Sequence, residues 1–87
     1  MNSTIVYSNI LFNSTHNTIT IGHHTDGIYI HNIDVNNPAT IELNGKHQVI
    51  IPESPAAGGH IYHFIPGDYT TIKVLTTSVN LCMYAVG

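Results

Sequence analysis

Histidine is the residue type in this chain best suited to chemistry, and it occurs seven times among 87 residues. The histidines are His16, His23, His24, His31, His47, His60 and His63. A metal site needs three or four ligands that converge on one point. Because side chains two residues apart share a face of a strand, the adjacent His23 and His24 diverge in an extended chain. His60 and His63, three residues apart, diverge as well, so the spacing does not predict a chelate on a strand.

Three roles are open for these histidines, and we favour that of polar surface side chains. A turn at residues 23–26 would bring one histidine toward Asp26, but that makes only two ligands. A metal on an oligomer axis would need one histidine per chain, and a catalytic histidine is the third alternative. Below about pH 6.5 the histidines become charged and the net charge changes from negative to positive, so we expect association to depend on pH.

The motifs of common enzyme classes are absent from the sequence. It contains no Gly-x-Ser-x-Gly elbow, no glycine-rich phosphate loop before a helix and no His-Glu-x-x-His. Asp26 and Asp34 are separated by a predicted strand, which does not support a paired-carboxylate site. Cys82 is the only cysteine and lies in the apolar run 81–86, so we expect a buried core residue and no intramolecular disulfide. We therefore expect no catalysis, no cofactor and no metal.

The composition excludes further classes of partner. Charged residues make up 8% of the chain, with two lysines, no arginine and a net charge of -3, against roughly 25% charged residues in an average soluble domain. A nucleic-acid binder needs a basic stripe, which two lysines cannot form. No apolar run approaches the ~20 residues of a membrane span, and the N-terminus does not resemble a secretory leader. We expect neither nucleic acid nor a membrane as a partner.

Isoleucine, valine, threonine and tyrosine dominate the chain, which is typical of strands. Apolar and polar residues alternate at 18–21, 40–43 and 71–74. Strands are predicted near 3–8, 10–13, 17–22, 27–35, 39–44, 47–52, 60–65 and 69–77, with 79–86 as a last one. The spacing of about eight short strands predicts an all-β fold, a single small antiparallel β-sandwich over 1–87. Jelly-roll and immunoglobulin-like strand orders are both open.

Two segments rich in turn-forming residues separate some of these strands. The pair Asn44-Gly45 predicts a hairpin with a type I′ turn, which needs positive φ at both central residues. The segment 52–59 contains two prolines and two glycines, which exclude a central strand. It is either a plain connection, which we favour, or an exposed loop that contacts a partner. The candidate contact residues of that loop are Glu53, Ser54, Pro55, Gly58 and Gly59.

The predicted strands 28–35 and 79–86 are apolar on both faces. Such strands either run in the middle of a sheet within a monomer or pack against another subunit. We favour the second alternative, a homo-oligomer, because surplus apolar faces in so small a chain need a partner. The candidate interface residues are Tyr29, Ile33, Val35, Tyr84 and Val86.

Five short segments between residues 27 and 87 carry a resemblance to a known family. They are GIYI at 27–30, PATIELNG at 38–45, IPGDY at 65–69, IKVLTT at 72–77 and LCMYAV at 81–86. In this order they resemble the small β-sandwich virion accessory proteins of tailed bacteriophages, of the head-spike-base and capsid-decoration type. The chain departs from that pattern in having Lys73 where an arginine is usual, and in the inserted loop 52–59.

The resemblance implies a structural, non-catalytic protein that forms a symmetric homo-oligomer. It also implies contacts with other virion proteins (capsid or spike/fibre) and a place in the virion after assembly in the host cytoplasm. A binding module for a carbohydrate or protein ligand, with Tyr29, Tyr62 and Tyr69 on an exposed face, is the alternative. A metal-dependent enzyme that uses the histidines is a third hypothesis.

Overall fold

The computed structural model describes residues 4–12, 17–55, 61–76 and 79–87. These residues form eight strands, and the predicted all-β fold is confirmed. The strands are β1 (Ile5–Phe12), β2 (Thr18–Thr20), β3 (Gly27–Asn32), β4 (Ala39–Leu43), β5 (His47–Ile51), β6 (His63–Pro66), β7 (Thr71–Val74) and β8 (Leu81–Val86). Within the described ranges, no helix is long and apolar enough to cross a bilayer.

The eight strands form two four-stranded antiparallel sheets. The first sheet has the order β1-β8-β3-β6 and the second the order β2-β7-β4-β5. The chain therefore pairs β1 with β8, β2 with β7, β3 with β6 and β4 with β5. Such pairing arises when one long hairpin, bent between β4 and β5, folds over on itself. This is the strand order of a jelly roll, and it decides between the two predicted alternatives.

The turn between β4 and β5 has the predicted geometry. Asn44 and Gly45 have φ values of 55° and 71°, and the N–H of Lys46 donates to the carbonyl of Leu43 at 3.1 Å. The ladder resumes with Leu43 opposite His47, so Lys46 lies outside it. Asn44 and Gly45 are suited to this turn because they tolerate a left-handed backbone better than other residues.

Aliphatic side chains fill the space between the two sheets. They alternate with outward side chains along each strand, as the sequence predicts: Ile41 and Leu43 of β4 are buried, whereas Thr40 and Glu42 between them are half-buried. The core consists of Ile19, Ile21, Ile28, Ile30, Ala39, Ile41, Leu43, Ile51, Ile72, Val74, Val79, Leu81, Met83 and Ala85.

The predicted strand 28–35 is wrong at its C-terminal end, because β3 ends at Asn32. The buried Asn32 amide donates to the carbonyl of Asn37 at 2.8 Å, and its Oδ1 accepts the N–H of Asp34 at 3.0 Å. These side-chain bonds hold the chain where it leaves the sheet. Two exposed residues that were predicted to lie in the strand are therefore outside it: Ile33 and Val35.

Two further differences concern the first sheet. The predicted strands near 3–8 and 10–13 form one strand, β1, with irregular register against β8. The strands that are apolar on both faces, β3 and β8, occupy the two central positions of their sheet. Their inner faces contribute to the core, and their outer faces carry Tyr29 and Tyr84.

Candidate functional site

Three aromatic rings lie side by side on the outer face of the first sheet. Tyr29 of β3 is opposite Tyr84 of β8 in one ladder and opposite Phe64 of β6 in the other. Residues in register share a face of the sheet, and the inward neighbours of Tyr29 are the core residues Ile28 and Ile30. Together with Tyr62, which precedes β6, these rings form a surface that we call the aromatic face: Tyr29, Tyr62, Phe64 and Tyr84.

The rings of the aromatic face contact one another continuously. Tyr29 and Tyr84 stack with their centroids 4.9 Å apart and their planes at 19°. Phe64 lies on the other side of Tyr29, with the two ring centroids 4.7 Å apart and the planes tilted by 41°. The ring centroids of Tyr62 and Tyr84 are 5.4 Å apart. Pairs of this kind contribute about 0.5–1.5 kcal/mol each beyond area burial. The rings therefore form one connected layer on the sheet.

Gly27 makes room for one of these rings. It is an outward position of β3, two residues before Tyr29. A Cβ built at Gly27 would lie 2.4 Å from Cε1 and Cζ of the Phe64 ring. Phe64 therefore covers the strand where a side chain at position 27 would stand. Glycine here permits close approach of a neighbouring side chain rather than a turn.

The two sheets differ in what their outer faces expose. Phe64 is 48% and Tyr62 41% exposed, whereas Tyr29 and Tyr84 between them are half-buried. Polar side chains cover the outward positions of the second sheet, with Ile50 of β5 as an exposed apolar exception. Those polar outward residues are Thr18, Thr20, Thr40, Glu42, Gln48, Thr71 and Lys73. The described part of the chain thus has one aromatic outer face and one polar outer face.

His31 lies at one end of the aromatic face and is not a surface histidine. It is 3% exposed, and its Nδ1 lies 3.0 Å from the carbonyl of Ile61. Because a carbonyl only accepts, Nδ1 carries the proton in this contact. The ring also packs against Tyr62, with the two ring centroids 5.5 Å apart. The predicted surface role is therefore wrong for His31, since an outward position is covered here by the segment that precedes β6.

Cys82 lies opposite His31 in the ladder between β3 and β8. Its side chain is half-buried on the outer face, not in the core. The sulfur lies 3.4 Å from the Tyr62 hydroxyl. This hydrogen bond, followed by partial burial, raises the pKa of Tyr62 to about 12. The contact anchors Tyr62 on the sheet, so that the ring is held beside Tyr84.

The predicted interface residues differ in their location and in their exposure. Tyr29 and Tyr84 belong to the aromatic face, as described above. Val86 is only 6% exposed, so its side chain is already covered within its own fold and is withdrawn as an interface residue.

The hydroxyl of Tyr69 donates to the carbonyl of Pro66 at 2.6 Å, within the loop after β6. Tyr69 therefore does not share a face with the other tyrosines, while Phe64, absent from the predicted set, does.

The predicted partner loop is only partly described. Glu53 and Pro55 are exposed, whereas Gly58 and Gly59 lie outside the described residues. Ser54 is buried: its N–H donates to the carbonyl of Asp34 at 2.9 Å, and its hydroxyl donates to the carbonyl of Asn32. Ser54 is therefore corrected from a contact residue to an anchor that fixes this segment to the end of β3.

A second polar cluster lies where the loop before β3 meets the loop after β6. His24 Nε2 lies 3.0 Å from Asp26 Oδ1, and His24 Nδ1 lies 3.1 Å from Asp68 Oδ2. Sequence spacing indicated the approach to Asp26 but not to Asp68, which is 44 residues away. The cluster borders a shallow open depression that also touches Ile21 and Thr70. Among the described residues, no group of three or more histidine, cysteine or acidic side chains is arranged to hold a metal ion.

Comparison with known proteins gives no further assignment. No protein-family model, curated protein or solved structure matches this chain.

Proposed function

We propose that this protein is a non-enzymatic structural protein that forms a symmetric homo-oligomer through the aromatic face. The observation that carries the proposal is the contrast between the two sheets. Four contiguous rings cover one outer face, whereas threonine, lysine and glutamate cover the other. Contiguous apolar patches larger than a few hundred Å² are rare on soluble monomers and mark interaction sites.

The composition of the aromatic face suits a protein interface. Tyrosine and phenylalanine are enriched at the centres of interfaces, where lysine and glutamate are depleted. Among the described outward positions of β3, β6 and β8, none is lysine, aspartate or glutamate. Tyrosine also loses little conformational entropy on binding, because few torsions must be fixed. Rings already packed against one another lose even less.

The area that a stable complex needs indicates a whole sheet face. A specific interface buries about 800 Å² on each partner, which is about a sixth of the 5101 Å² surface of this chain. The aromatic face lies across β8, β3 and β6, so an interface of this size would extend beyond the four rings to the flanks of the sheet. A domain of this size also has little stability to spare, and association would add to it by mass action.

The assignment of this assembly to a virus particle rests on the segment resemblance. The jelly roll is an architecture that viral capsid domains share with lectins and cupins, so it accords with that role without implying it. In this proposal the oligomer decorates a phage capsid or anchors a head spike or fibre. The exposed Glu53 and Pro55 lie in the loop that we assign to contacts with another virion protein.

Light scattering after size exclusion tests the assembly proposal. The untagged protein is measured over a hundredfold range of concentration at neutral pH. We expect a mass that is a whole multiple of 9.5 kDa and that is stable toward dilution. A mass of one chain at every concentration would contradict self-assembly through the aromatic face.

One observation favours a second candidate function, the binding of a carbohydrate. The stacked pair of Tyr29 and Tyr84, flanked by Phe64, makes an aromatic platform on a sheet, and a sugar ring can pack on such a surface through its C–H groups. This function predicts a monomer whose tyrosine fluorescence changes on titration with soluble polysaccharides. A single-chain mass together with such a response would replace the assembly proposal by this one.

A further inference from the structure

One imidazole ring joins two loops at the end of the sandwich. His24 belongs to the loop between β2 and β3, and Asp68 belongs to the loop between β6 and β7. The ring places Nδ1 3.1 Å from Asp68 Oδ2 and Nε2 3.0 Å from Asp26 Oδ1. Each ring nitrogen thus faces a carboxylate oxygen. β2 and β7 are in the second sheet and β3 and β6 in the first, so the contact links two crossings between the sheets.

The geometry of this cluster limits how its protons can be arranged. A carboxylate only accepts hydrogen bonds, and a neutral imidazole donates from one nitrogen only. Both contacts can therefore be hydrogen bonds at the same time only if the ring is doubly protonated or a carboxyl group is protonated. The N–H of Thr25 donates to the other oxygen of Asp68 at 3.0 Å, which favours the carboxylate form of Asp68. The arrangement is therefore suited to an imidazolium ion between two carboxylates.

We propose that His24 is a proton-operated latch between the two loops. In the charged state the ring bridges Asp26 and Asp68. In the neutral state its remaining N–H stays with Asp68, which Thr25 also holds, and the lone pair of Nε2 repels the Asp26 carboxylate. The Asp26 side of the latch then opens.

The latch lies over the backbone contacts that hold this corner together. The N–H of Asp26 donates to the carbonyl of Val86 at 2.6 Å, and the carbonyl of Asp26 accepts the N–H of Gly67 at 2.9 Å. Beside them the Thr25 hydroxyl donates to the carbonyl of Gly67 at 2.7 Å and accepts the N–H of Tyr69 at 2.8 Å. Displacement of Asp26 therefore loosens bonds between the loop before β3, the loop after β6 and the end of β8.

The groups around the ring determine the sign of the pH dependence. Asp26 faces the imidazole from its own loop, and Asp68 faces it from the β6–β7 loop. His23 is adjacent in the chain. The backbone of Gly87, which follows β8, lies near the carbonyl of His24. The hydrogen bonds to Asp26 and then Asp68 raise the pKa of His24. The Thr25 N–H, followed by His24, lowers the pKa of Asp68.

The window in which the latch is closed follows from these directions. A histidine with a raised pKa in the folded state stabilises fully below its unfolded pKa of about 6.5 and loses this effect as the pH rises through the raised value. Asp68, whose pKa is lowered, keeps its charge until the pH falls through that lowered pKa. The latch is therefore closed in mild acid and opens as the pH rises through the raised pKa of His24. Because the side chains are exposed, its effect is on local order rather than on global unfolding.

Nuclear magnetic resonance of the full chain tests the latch. The imidazole ¹⁵N shifts of His24 and the amide shifts of Asp26 and Gly67 are followed from pH 5 to pH 9. We expect all of them to titrate with one midpoint. Asp26→Asn and Asp68→Asn should each lower the His24 midpoint, while the neighbouring change His23→Gln should leave it in place.

The variant His24→Gln separates a latch from a passive surface contact. Glutamine remains polar but does not titrate, so the shifts of the Asp26 and Gly67 amides should lose their pH dependence near neutrality. Hydrogen exchange of the same amides, corrected for the intrinsic pH effect, should also become independent of pH. The proposal is overturned if these amides titrate as before in His24→Gln, or if neither aspartate variant moves the His24 midpoint.

Discussion

Tyr29 and Tyr84 stack across the two central strands of the first sheet, with ring centroids 4.9 Å apart and planes 19° from parallel. Each ring has a further aromatic neighbour, Phe64 beside Tyr29 and Tyr62 beside Tyr84. The pair is therefore the centre of the aromatic face. Its rings shield each other from water, while the flanking rings remain open to a partner.

The stacked pair should be coupled energetically. In a double-mutant cycle of Tyr29→Leu and Tyr84→Leu, leucine retains apolar area and removes ring–ring contact. We expect a coupling energy of about 1 kcal/mol between the two sites, within the usual range for aromatic pairs. Urea unfolding of the four proteins at a concentration where the assembly state is the same measures it. Additive effects of the two changes would show that the rings touch without stabilising the sheet.

A side chain added at Gly27 should destabilise the fold, because the Phe64 ring occupies the space above this position. Gly27→Ala places a methyl group where Cε1 and Cζ of that ring now lie, so the ring must move. We expect a loss of about 2 kcal/mol in the free energy of unfolding, typical of overpacking. Gly22→Ala is the matched control, since a Cβ there meets no atom within 4 Å, and it should change stability by less than about 1 kcal/mol.

A second variant shows whether Phe64 is the cause. In the double variant Gly27→Ala with Phe64→Ala, the methyl group no longer meets a ring. Adding Gly27→Ala to Phe64→Ala should therefore cost much less than adding it to the wild type. If the cost is the same in both backgrounds, the strain arises from the backbone of β6 instead.

Asn44 should stabilise the fold through its backbone and its side chain separately. Its Oδ1 accepts the N–H of Thr70 at 2.7 Å, and its Nδ2 donates to the carbonyl of Asp68 at 3.1 Å. Asn44→Gly keeps the φ of 55° accessible and removes these bonds, at a cost of about 1–2 kcal/mol. Asn44→Ala should cost about 1 kcal/mol more, because alanine resists a left-handed backbone. Equal unfolding free energies for the two variants would contradict the role assigned to φ.

Local patterns in the sequence predicted the local structure. The alternation at 18–21 and 40–43 gave strands with the correct inward residues, and Asn44-Gly45 gave the turn. Apolar residues on both faces of the predicted strand 79–86 allowed a central position or packing against another subunit, and β8 has a central position in its sheet. Each of these features depends on side-chain alternation or on φ preferences, which are properties of neighbouring residues.

Features that depend on strand order were not predictable in this way. Phe64 joins the aromatic face only because β6 pairs with β3, and Asp68 meets His24 only because two crossings between the sheets come together. Ser54 is buried because it reaches the carbonyl of Asn32 at the end of β3. In each case the partner is 20 or more residues away, where spacing in the sequence carries no information.

The role of the aromatic face as the surface of self-assembly is tested most directly by the mass of two matched variants in solution. Phe64→Ser removes an exposed ring from the aromatic face, and Ile50→Ser removes an exposed isoleucine from the outer face of the second sheet. Light scattering after size exclusion, with circular dichroism to verify folding, compares both with the wild type. We expect Phe64→Ser to shift toward the 9.5 kDa single chain, while Ile50→Ser keeps the wild-type mass. An unchanged oligomer in Phe64→Ser, or dissociation in Ile50→Ser alone, would contradict assembly through the aromatic face.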